Sequence, residues 1–384
     1  MAGIYIHIPF CKQACYYCDF HFSTSLKKKD ELITAIKKEL QLRQKELVSQ
    51  KIETIYIGGG TPSILNISEL QLLIQEVYNN YSVIEKPEIT IEANPDDLTK
   101  EKIYQLSNTQ INRLSIGIQS FFNDDLKVMN RAHNSVEAKK CLEEARKYFN
   151  NITVDLIYGI PNMSLEKWNQ NLQIVFDFEI PHISNYALTV EPRTALDNFI
   201  KKGTYPPLDE SLALQHFNHL VKETEKRGFI QYEISNFGKP DFFSKHNTSY
   251  WQGNHYLGVG PSAHSFNKKQ RSWNVANNPK YIKTINEGNL PLEIENLTIN
   301  DHFNEYIMTG LRTIWGVSYN KVETHFGKEF LQHLKKTSQQ YLDEGLLMIS
   351  SSDFNQNKNN IEKLVVTQKG KFLVDGITSN LFMI

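Results

Sequence analysis

Short runs of β-branched residues alternate with longer amphipathic segments through the first half of the chain. This order is typical of βα units laid side by side in a parallel sheet or barrel. The runs that predict strands are Ile4–Ile8, Thr54–Ile57, Glu88–Glu92, Arg113–Ile118, Ile152–Ile157 and Ile183–Leu188. The segments that predict helices are Lys28–Ser49, Ser68–Tyr78, Lys100–Leu106, Ser135–Phe149 and Leu165–Phe176. Six units are too few for a closed barrel, which needs eight. We therefore predict an α/β fold, a partial six-unit barrel with its ligands at the carboxyl ends of the strands.

The pattern changes after about residue 195. A helix is predicted over Leu208–Lys226, a Gly-, His- and aromatic-rich stretch follows, and Gly288–Asn300 is predicted to be a linker. Beyond it, helices precede two short strands, Leu346–Ser350 and Leu364–Val366, which flank an Asn-rich loop and lead to a final helix. This order predicts an α+β, winged-helix-like module. The predicted parts are a barrel over 1–200, a region over 201–290 packed on the barrel, and a C-terminal domain over 300–384.

Charge and composition exclude several classes of partner and compartment. The 384 residues carry 42 Lys and Arg against 43 Asp and Glu, a net charge of -1, and the C-terminal module is balanced in the same way. No overall field would attract nucleic acid, so we expect no nucleic-acid partner. No apolar run approaches the roughly 20 residues of a membrane span. The N-terminus also lacks the basic flank and apolar core of a signal peptide, so we expect a cytoplasmic protein.

Three of the four cysteines, Cys11, Cys15 and Cys18, lie within one eight-residue stretch directly after the first predicted strand. Such clustering indicates a metal or cluster site in a reducing compartment rather than a disulfide framework. Thiolates favour zinc or iron-sulfur clusters. The fourth cysteine, Cys141, falls in a helical pattern and is predicted to be a small core residue.

Two readings of the cysteine cluster are open on spacing alone. Three thiolates on a four-iron cluster leave one iron free for a cofactor such as S-adenosylmethionine (SAM), which yields radicals when it binds such an iron. The alternative is a structural zinc held by the three cysteines and either His7 or His21. We favour the iron-sulfur cluster because zinc ligands more usually form two separated pairs.

The sequence Cys11-Lys-Gln-Ala-Cys15-Tyr-Tyr-Cys18 resembles the CxxxCxxC signature of the radical SAM superfamily. The resemblance implies a [4Fe-4S] cluster held by the three cysteines, SAM as cofactor, and the partial six-unit barrel as fold.

Several further residues at or after predicted strand ends suit a cofactor site. The run Gly58-Gly59-Gly60-Thr61 ends the second strand, where glycines let a backbone approach a ligand closely, although a tight turn would use them equally well. Glu92 ends the third strand. In order along the chain, these residues resemble the oxygen-independent coproporphyrinogen oxidase-like group of the superfamily. That resemblance implies that SAM is contacted by Tyr5, Gly59, Gly60, Thr61, Glu92, Gln119, Arg131 and Asp155.

This group contains both oxidases, which decarboxylate coproporphyrinogen III, and heme chaperones of the HemW type. The oxidases carry a further cysteine two positions after the third, where this chain has Phe20. They also carry an extension before the cluster, whereas here ten residues precede Cys11. Both departures resemble the chaperone branch.

The segment His246-Asn247-Thr-Ser-Tyr250-Trp251 resembles the HNxxYW heme-binding motif of those chaperones. An imidazole is a common axial ligand of heme iron, and aromatic side chains offer flat apolar surfaces to a porphyrin. We expect His246 to bind the heme iron. His255 and His264 are candidates for a second ligand, although a structural role is expected for both, and Lys245 or Arg271 could pair with the propionates.

The resemblance therefore implies a heme chaperone that binds heme and passes it to apo-hemoproteins such as respiratory enzymes. It also suggests a homodimer and peripheral membrane contact during delivery. Enzymatic activity is left open, because the fold permits radical chemistry without requiring it. The alternatives are an oxygen-independent coproporphyrinogen III oxidase of heme biosynthesis and another radical enzyme that shares only the core.

Overall fold

A computed structural model describes residues 2–351 and 362–384. Six parallel strands lie in the order in which they follow one another along the chain. They are β1 (Ala2–Ile8), β2 (Ile52–Gly59), β3 (Val83–Ala93), β4 (Arg113–Gln119), β5 (Ile152–Tyr158) and β6 (His182–Ala187). Each overlaps its predicted run, so the partial barrel of six βα units is confirmed.

Helices between these strands cover the outside of the sheet with their apolar faces. They are α1 (Lys29–Leu42), α2 (Ile67–Asn80), α3 (Lys100–Ser107), α4 (Asn123–Val128), α5 (Ser135–Ala145) and α6 (Leu165–Asp177), with short 3-10 helices at Gln44–Leu47 and Pro62–Ile64. Capping boxes start α2 at Asn66 and α5 at Asn134, each with a glutamate three residues on. Cys141 lies on α5 and is 3% exposed, which confirms it as a core residue.

The sheet continues beyond both edges of the parallel core to twelve strands. On one side β6 is followed by β8 (Asn236–Gly238) and β7 (Ile230–Gln231). On the other side β1 is followed by β9 (His255–Val259), β10 (His264–Phe266), β11 (Gln270–Asn274) and β12 (Leu292–Asn296). Only β9 joins this extension in parallel, against β1. β12 lies inside the predicted linker Gly288–Asn300, and that prediction is wrong there: an exposed edge strand needs no apolar run to pair.

The remaining helices are α7 (Ala195–Lys201), α8 (Glu210–Lys226), α9 (Lys245–Trp251), α10 (Asn278–Asn286), α11 (Ile299–Leu311), α12 (Tyr319–Phe326), α13 (Lys328–Asp343) and α14 (Val374–Asn380), with a 3-10 helix at Lys371–Leu373. A small sheet places β15 (Lys363–Val366) between β13 (Val317–Ser318) and β14 (Leu347–Ser350). Two of its strands were predicted; the two-residue β13 was not. A second hydrophobic cluster between Phe303 and Leu381 packs these C-terminal elements together.

The predicted Asn-rich loop lies outside the described residues. The division into three domains stays a prediction. Among the helices that the structure describes, none combines the length and apolar character needed to cross a membrane.

Candidate functional site

The cysteine loop follows β1 at the carboxyl end of the parallel strands. Cys11, Cys15 and Cys18 are all free thiols and partly exposed. The amide of Cys11 donates to the Ser23 carbonyl at 3.1 Å, which closes the loop back on its own start. Burial raises the pKa of Cys11 and raises that of Cys18 to about 11, and repulsion from neighbouring thiolates acts in the same direction. The three sulfurs are therefore neighbours, and a bound metal would favour the thiolates that burial disfavours.

Arg131 supplies positive charge beside this loop. Its guanidinium donates to Cys15 Sγ at 3.2 Å, to the Gly117 carbonyl at 2.8 Å and to Asn94 Oδ1 at 2.7 Å. Among the described residues, its Nε atom is buried without a hydrogen-bond partner. A buried orphan donor is rare and suits a ligand that brings an acceptor.

The glycine run at the end of β2 packs directly against the cysteine loop. A Cβ on Gly60 would lie 2.9 Å from Cys11 Sγ and 2.7 Å from the Phe10 carbonyl oxygen, so only glycine fits there. Gly59 has a φ of +116°, and its amide donates to Glu92 Oε2 at 2.9 Å. The Thr61 amide donates to the Phe10 carbonyl at 2.7 Å. These contacts form a cradle at the mouth of the barrel.

Two carboxylates project into the barrel from β3 and β5. Burial raises the pKa of Glu92 to about 7 and that of Asp155 to about 6. The charge of Asp155 also raises the pKa of Glu92, whereas hydrogen bonds to each carboxylate act in the opposite direction. Tyr56 donates to Glu92 Oε1 at 2.8 Å. Perturbed carboxylates of this kind cluster at functional sites because a cofactor can exploit either protonation state.

Gln119 and Tyr5 complete the predicted cofactor positions. Gln119 ends β4 with a φ of +68°, a strained backbone for a non-glycine residue and a feature typical of functional sites. A Cβ on Gly117 would lie 2.9 Å from its Nε2 atom, so that glycine makes room for the side chain. Tyr5 forms a hydrogen bond with His7 Nδ1 at 3.1 Å inside the barrel. Several predicted positions thus lie close together, because Glu92 accepts from the Gly59 amide and its charge interacts with those of Tyr5 and Asp155.

His7 and His21, the two histidines that could complete a zinc site, form hydrogen bonds with other residues. His7 forms hydrogen bonds with Tyr5 through Nδ1 and with the His21 carbonyl through Nε2, the latter at 3.2 Å. His21 Nε2 forms a hydrogen bond with Asn278 Oδ1 at 2.8 Å. Across residues 2–351 and 362–384, no three His, Cys, Asp or Glu side chains, Cys11, Cys15 and Cys18 included, are arranged to hold a metal ion in this conformation, so this finding does not distinguish zinc from an iron-sulfur cluster. A zinc on either imidazole nitrogen of His7 would have to replace an existing hydrogen bond.

His246 lies at the opposite end of the barrel, near the amino ends of β1 and β2. It is 1% exposed, with Nδ1 2.7 Å from Thr54 Oγ1 and Nε2 2.6 Å from the Tyr250 hydroxyl. Its ring stacks on Tyr56 at a centroid distance of 5.0 Å. Burial, with Arg113 nearby, lowers its pKa to about 3, so the imidazole is neutral at physiological pH. The neutral imidazole is the form that binds metal. In this conformation, however, both ring nitrogens already form hydrogen bonds.

Helix α9, which carries His246, is fastened to β3 by a carboxylate. Glu88 accepts hydrogen bonds from the amides of Lys245 and His246, each at 3.1 Å. Ser244 caps the helix by accepting from the Asn247 amide. A carboxylate at a helix N-terminus satisfies free amides and opposes the positive end of the helix dipole. The motif is therefore held in a fixed place relative to the barrel.

Beside α9 lies a cavity of about 1230 Å³. Tyr250 and Trp251 of the motif line it, together with aromatic residues of β9, β10 and the C-terminal elements, Tyr256, Phe266, Tyr306 and Trp315. Ordinary small-molecule pockets measure roughly 300–1,000 Å³, so this cavity admits a larger ligand.

Of the other predicted heme contacts, only one lines the cavity among the described residues. Of the residues considered, Arg271 lines the cavity, but its guanidinium pairs with Glu305. His264 stacks on Trp273 at the sheet edge, 5.7 Å between ring centroids, and His255 starts β9. Among the described residues that line the cavity, Lys245, His255 and His264 do not appear, and neither does His246, which contacts the cavity wall through the Tyr250 hydroxyl.

Four contact residues were missed by sequence reasoning: Thr54, Tyr56, Glu88 and Asn94. Asn94 links Arg131 to Thr61, whose Oγ1 lies 3.2 Å from Asn94 Nδ2. The position of Asn94, two residues after Glu92 at the end of β3, could have indicated a role in the site. Thr54, Tyr56 and Glu88 sit in ordinary strand positions, and their partners on α9 lie more than 150 residues away along the chain.

Comparisons with known proteins match both parts of the chain. The model of the radical SAM superfamily matches residues 5–174, and that of the HemN C-terminal domain matches residues 297–355. The heme chaperone HemW of Bacillus subtilis is 33% identical over 92% of this chain and 94% of its own length. The heme chaperone HemW of Lactococcus lactis is 32% identical over 97% of each chain.

A solved structure of Escherichia coli coproporphyrinogen III oxidase (HemN), a radical SAM enzyme, covers 100% of this chain and 90% of its own with a TM-score of 0.85. Its sequence is 22% identical, so this likeness shows the fold. The curated relatives are more similar and span nearly the whole chain. The protein therefore belongs to the family of HemW heme chaperones within the radical SAM superfamily.

Proposed function

We propose that this protein binds heme and delivers it to apo-hemoproteins such as respiratory enzymes. The observation that carries the proposal is the large aromatic cavity beside α9, because Tyr250 and Trp251 of the HNxxYW segment form part of its wall. Its volume exceeds that of ordinary small-molecule pockets, and its aromatic lining suits a flat apolar macrocycle. The relatives' name, heme chaperone, supports the same ligand.

His246 remains the proposed iron ligand, with one condition. Metal-binding histidines usually donate the second ring N–H to an oxygen, which fixes the tautomer. Thr54 Oγ1 is placed to accept from Nδ1, which leaves the Nε2 lone pair facing the Tyr250 hydroxyl. Because Tyr250 also lines the cavity, its side chain must swing aside before Nε2 can reach iron.

The radical SAM half of the proposal rests on the residues at the carboxyl ends of the strands. We propose that Cys11, Cys15 and Cys18 hold a [4Fe-4S] cluster; the residues implied to contact SAM are Tyr5, Gly59, Gly60, Thr61, Glu92, Gln119, Arg131 and Asp155. When bound, the cluster and SAM supply one-electron chemistry. The residues fit such a group: three free thiols adjoin a glycine cradle, and the buried Nε of Arg131 lacks an acceptor among the described residues. Arg131 would stabilise the Cys15 thiolate through its contact at Sγ.

A Cys11→Ser change tests the cluster assignment. We expect the anaerobically reconstituted variant to lose the brown iron-sulfur absorbance that the wild type shows, while Cys141→Ser keeps it. Undiminished colour in Cys11→Ser would contradict the assignment.

Coproporphyrinogen III oxidation is the second candidate, favoured by the full-length fold likeness to HemN. The residue in the position of the oxidases' additional cysteine is Phe20, which is 68% exposed on the cysteine loop. Because phenylalanine cannot replace a thiol in chemistry, we propose the carrier function first. A cytoplasmic location, a homodimer and membrane contact during delivery stay predictions.

Delivery can be tested directly. Protein loaded with hemin is freed of excess hemin by gel filtration and mixed with an apo-hemoprotein, and the absorbance of each is followed after separation. We expect heme to leave this protein and the holo-hemoprotein to appear. Heme that stays on the loaded protein would contradict delivery, and consumption of coproporphyrinogen III with SAM and a reductant would favour the oxidase.

A further inference from the structure

We propose that Lys268 and Lys321 bind the two propionate carboxylates of heme inside the cavity beside α9. This inference rests on the proposed function, because it names the contacts of the same ligand. Three observations support it: the positions of the two lysines, the charged residues near them, and the aromatic side chains that line the same cavity.

The two lysines reach the cavity from different elements. Lys268 lies in the turn between β10 and β11, and Lys321 lies in the first turn of α12. The turn is held by Asn267, whose Oδ1 accepts from the amides of Lys269 at 3.0 Å and Gln270 at 2.7 Å. The position of Lys268 is therefore set by the backbone, and a ligand between the lysines would bridge the sheet and the C-terminal elements.

The cavity carries a surplus of positive charge. Five of its lining side chains are Lys or Arg, and two are Glu. Arg271 is paired with Glu305 and Arg312 with Asp375. In the part of the chain that the structure describes, no ion pair involves Lys268 or Lys321.

The two ammonium groups also act on each other. Burial lowers the pKa of Lys321, and repulsion from Lys268 adds to that shift. Both side chains are exposed, so solvent screens this repulsion, and an anion placed between them would replace the remaining repulsion with attraction. The pair is thus suited to a ligand that brings negative charge.

Aromatic side chains in the same cavity indicate that the ligand also has a flat apolar part. Lys321 Nζ lies 4.2 Å from the centroid of the Tyr306 ring, and Trp251 and Tyr256 line the same space. A small inorganic anion would gain nothing from these rings, and a neutral planar molecule would gain nothing from the lysines. A porphyrin with two carboxylates on one edge uses both.

The sequence had offered Lys245 and Arg271 for this task. Lys245 is exposed outside the cavity, and the guanidinium of Arg271 is already neutralised by Glu305. Lys268 and Lys321 lack any motif and could be found only from the packing of the C-terminal elements beside the sheet.

The test compares hemin with hemin dimethyl ester, in which both carboxylates are blocked. For the wild-type protein, we expect esterification to weaken binding by roughly tenfold or more, the scale of charge-assisted hydrogen bonds near a surface. Lys268→Gln/Lys321→Gln should bind hemin about as weakly as the wild type binds the ester. The double variant should also distinguish the two ligands much less than the wild type does.

Lys335→Gln is the matched control, because Lys335 is an exposed lysine whose Nζ lies 5.4 Å from the centroid of the Tyr319 ring, away from the residues that line the cavity. It should bind both ligands as the wild type does. If the wild type binds hemin but does not distinguish it from the ester, the lysine assignment is overturned without reference to any variant. If the double variant distinguishes the ligands as well as the wild type, the assignment is also overturned while heme binding stands. Absence of saturable hemin binding in the wild type overturns the proposed function and this inference together.

Discussion

At the scale of single residues, His246 joins two environments. On one side Thr54 and the stacked ring of Tyr56 belong to the barrel interior, and on the other side Tyr250 belongs to the cavity wall. The hydrogen bond between Nε2 and the Tyr250 hydroxyl occupies that nitrogen in this structure. The same bond competes with iron for that nitrogen.

Replacing Tyr250 with phenylalanine tests this competition. The variant removes a net hydrogen bond of about 1 kcal/mol from the heme-free protein and leaves the aromatic wall in place. We expect hemin to bind roughly fivefold more tightly, as measured by titration of the Soret band.

Tyr306→Phe is the control for this prediction, because Tyr306 lines the same cavity and its hydroxyl accepts from the Ser318 amide rather than contacting His246. Its hemin affinity should change little. Weaker binding by Tyr250→Phe than by the wild type would mean that the hydroxyl contributes to the heme complex.

At the scale of secondary-structure elements, α9 depends on its surroundings. A helix of seven residues is too short to be stable alone, so Ser244 and Glu88 must hold its first turn. The carboxylate of Glu88 accepts both amides at once, one on each oxygen.

Glu88→Gln should therefore loosen α9. The amide keeps one acceptor oxygen but turns an NH₂ group toward a backbone N–H, at a cost of about 1.5–3 kcal/mol for the lost charged hydrogen bond. We expect a lower unfolding midpoint in urea and weaker hemin binding. Glu85→Gln on the exposed part of β3 should change neither, and equal behaviour of the two variants would contradict the anchoring role.

Some secondary-structure elements could be predicted from the sequence and others could not. The six parallel strands were predicted because each contains a short run of mostly buried, β-branched residues, as in Ile152–Tyr158, where only Asp155 is partly exposed. Cys11, Gly60 and Glu92 were predicted to be cofactor contacts because strand ends in βα folds collect functional residues, and these roles stay predictions. Helix α9 was missed since its short, polar sequence has no apolar period, and its stability comes from Glu88. Lys268 and Lys321 were missed because nothing local distinguishes them.

At the scale of the whole molecule, one set of strands carries the two candidate sites at its opposite ends. The cysteine loop lies at the carboxyl ends, and His246 lies near the amino ends of β1 and β2. Tyr56 lies between them, because its hydroxyl donates to Glu92 and its ring stacks on His246. The cavity beside α9 is completed by the C-terminal elements, so the carrier needs both hydrophobic clusters in place.

The free energy of unfolding of the whole protein should also depend on pH. His216 is buried, its Nδ1 accepts from the Gly159 amide at 3.1 Å, and burial lowers its pKa to about 4. The ordinary value in the unfolded chain is about 6.5, so the unfolded chain binds this proton first as the pH falls. His216 therefore reduces the free energy of unfolding progressively between about pH 6.5 and pH 4.

His216→Gln isolates this contribution, because glutamine can accept the same amide without titrating. The raised pKa values of Glu92 and Asp155 stabilise the fold at low pH and would mask the trend in the wild type alone. We expect the variant to gain stability relative to the wild type as the pH falls from 6.5 to 4, as measured by urea unfolding. A difference between the two proteins that does not change with pH would contradict this.

The central claim is that the protein holds heme through His246. The most direct test is a hemin titration of the anaerobically reconstituted wild type and His246→Ala, followed at the Soret band. We predict a saturable band in the wild type that is lost in the variant, while the variant keeps the iron-sulfur absorbance of a folded core. No saturable band in the wild type, or equal binding by His246→Ala, would contradict it.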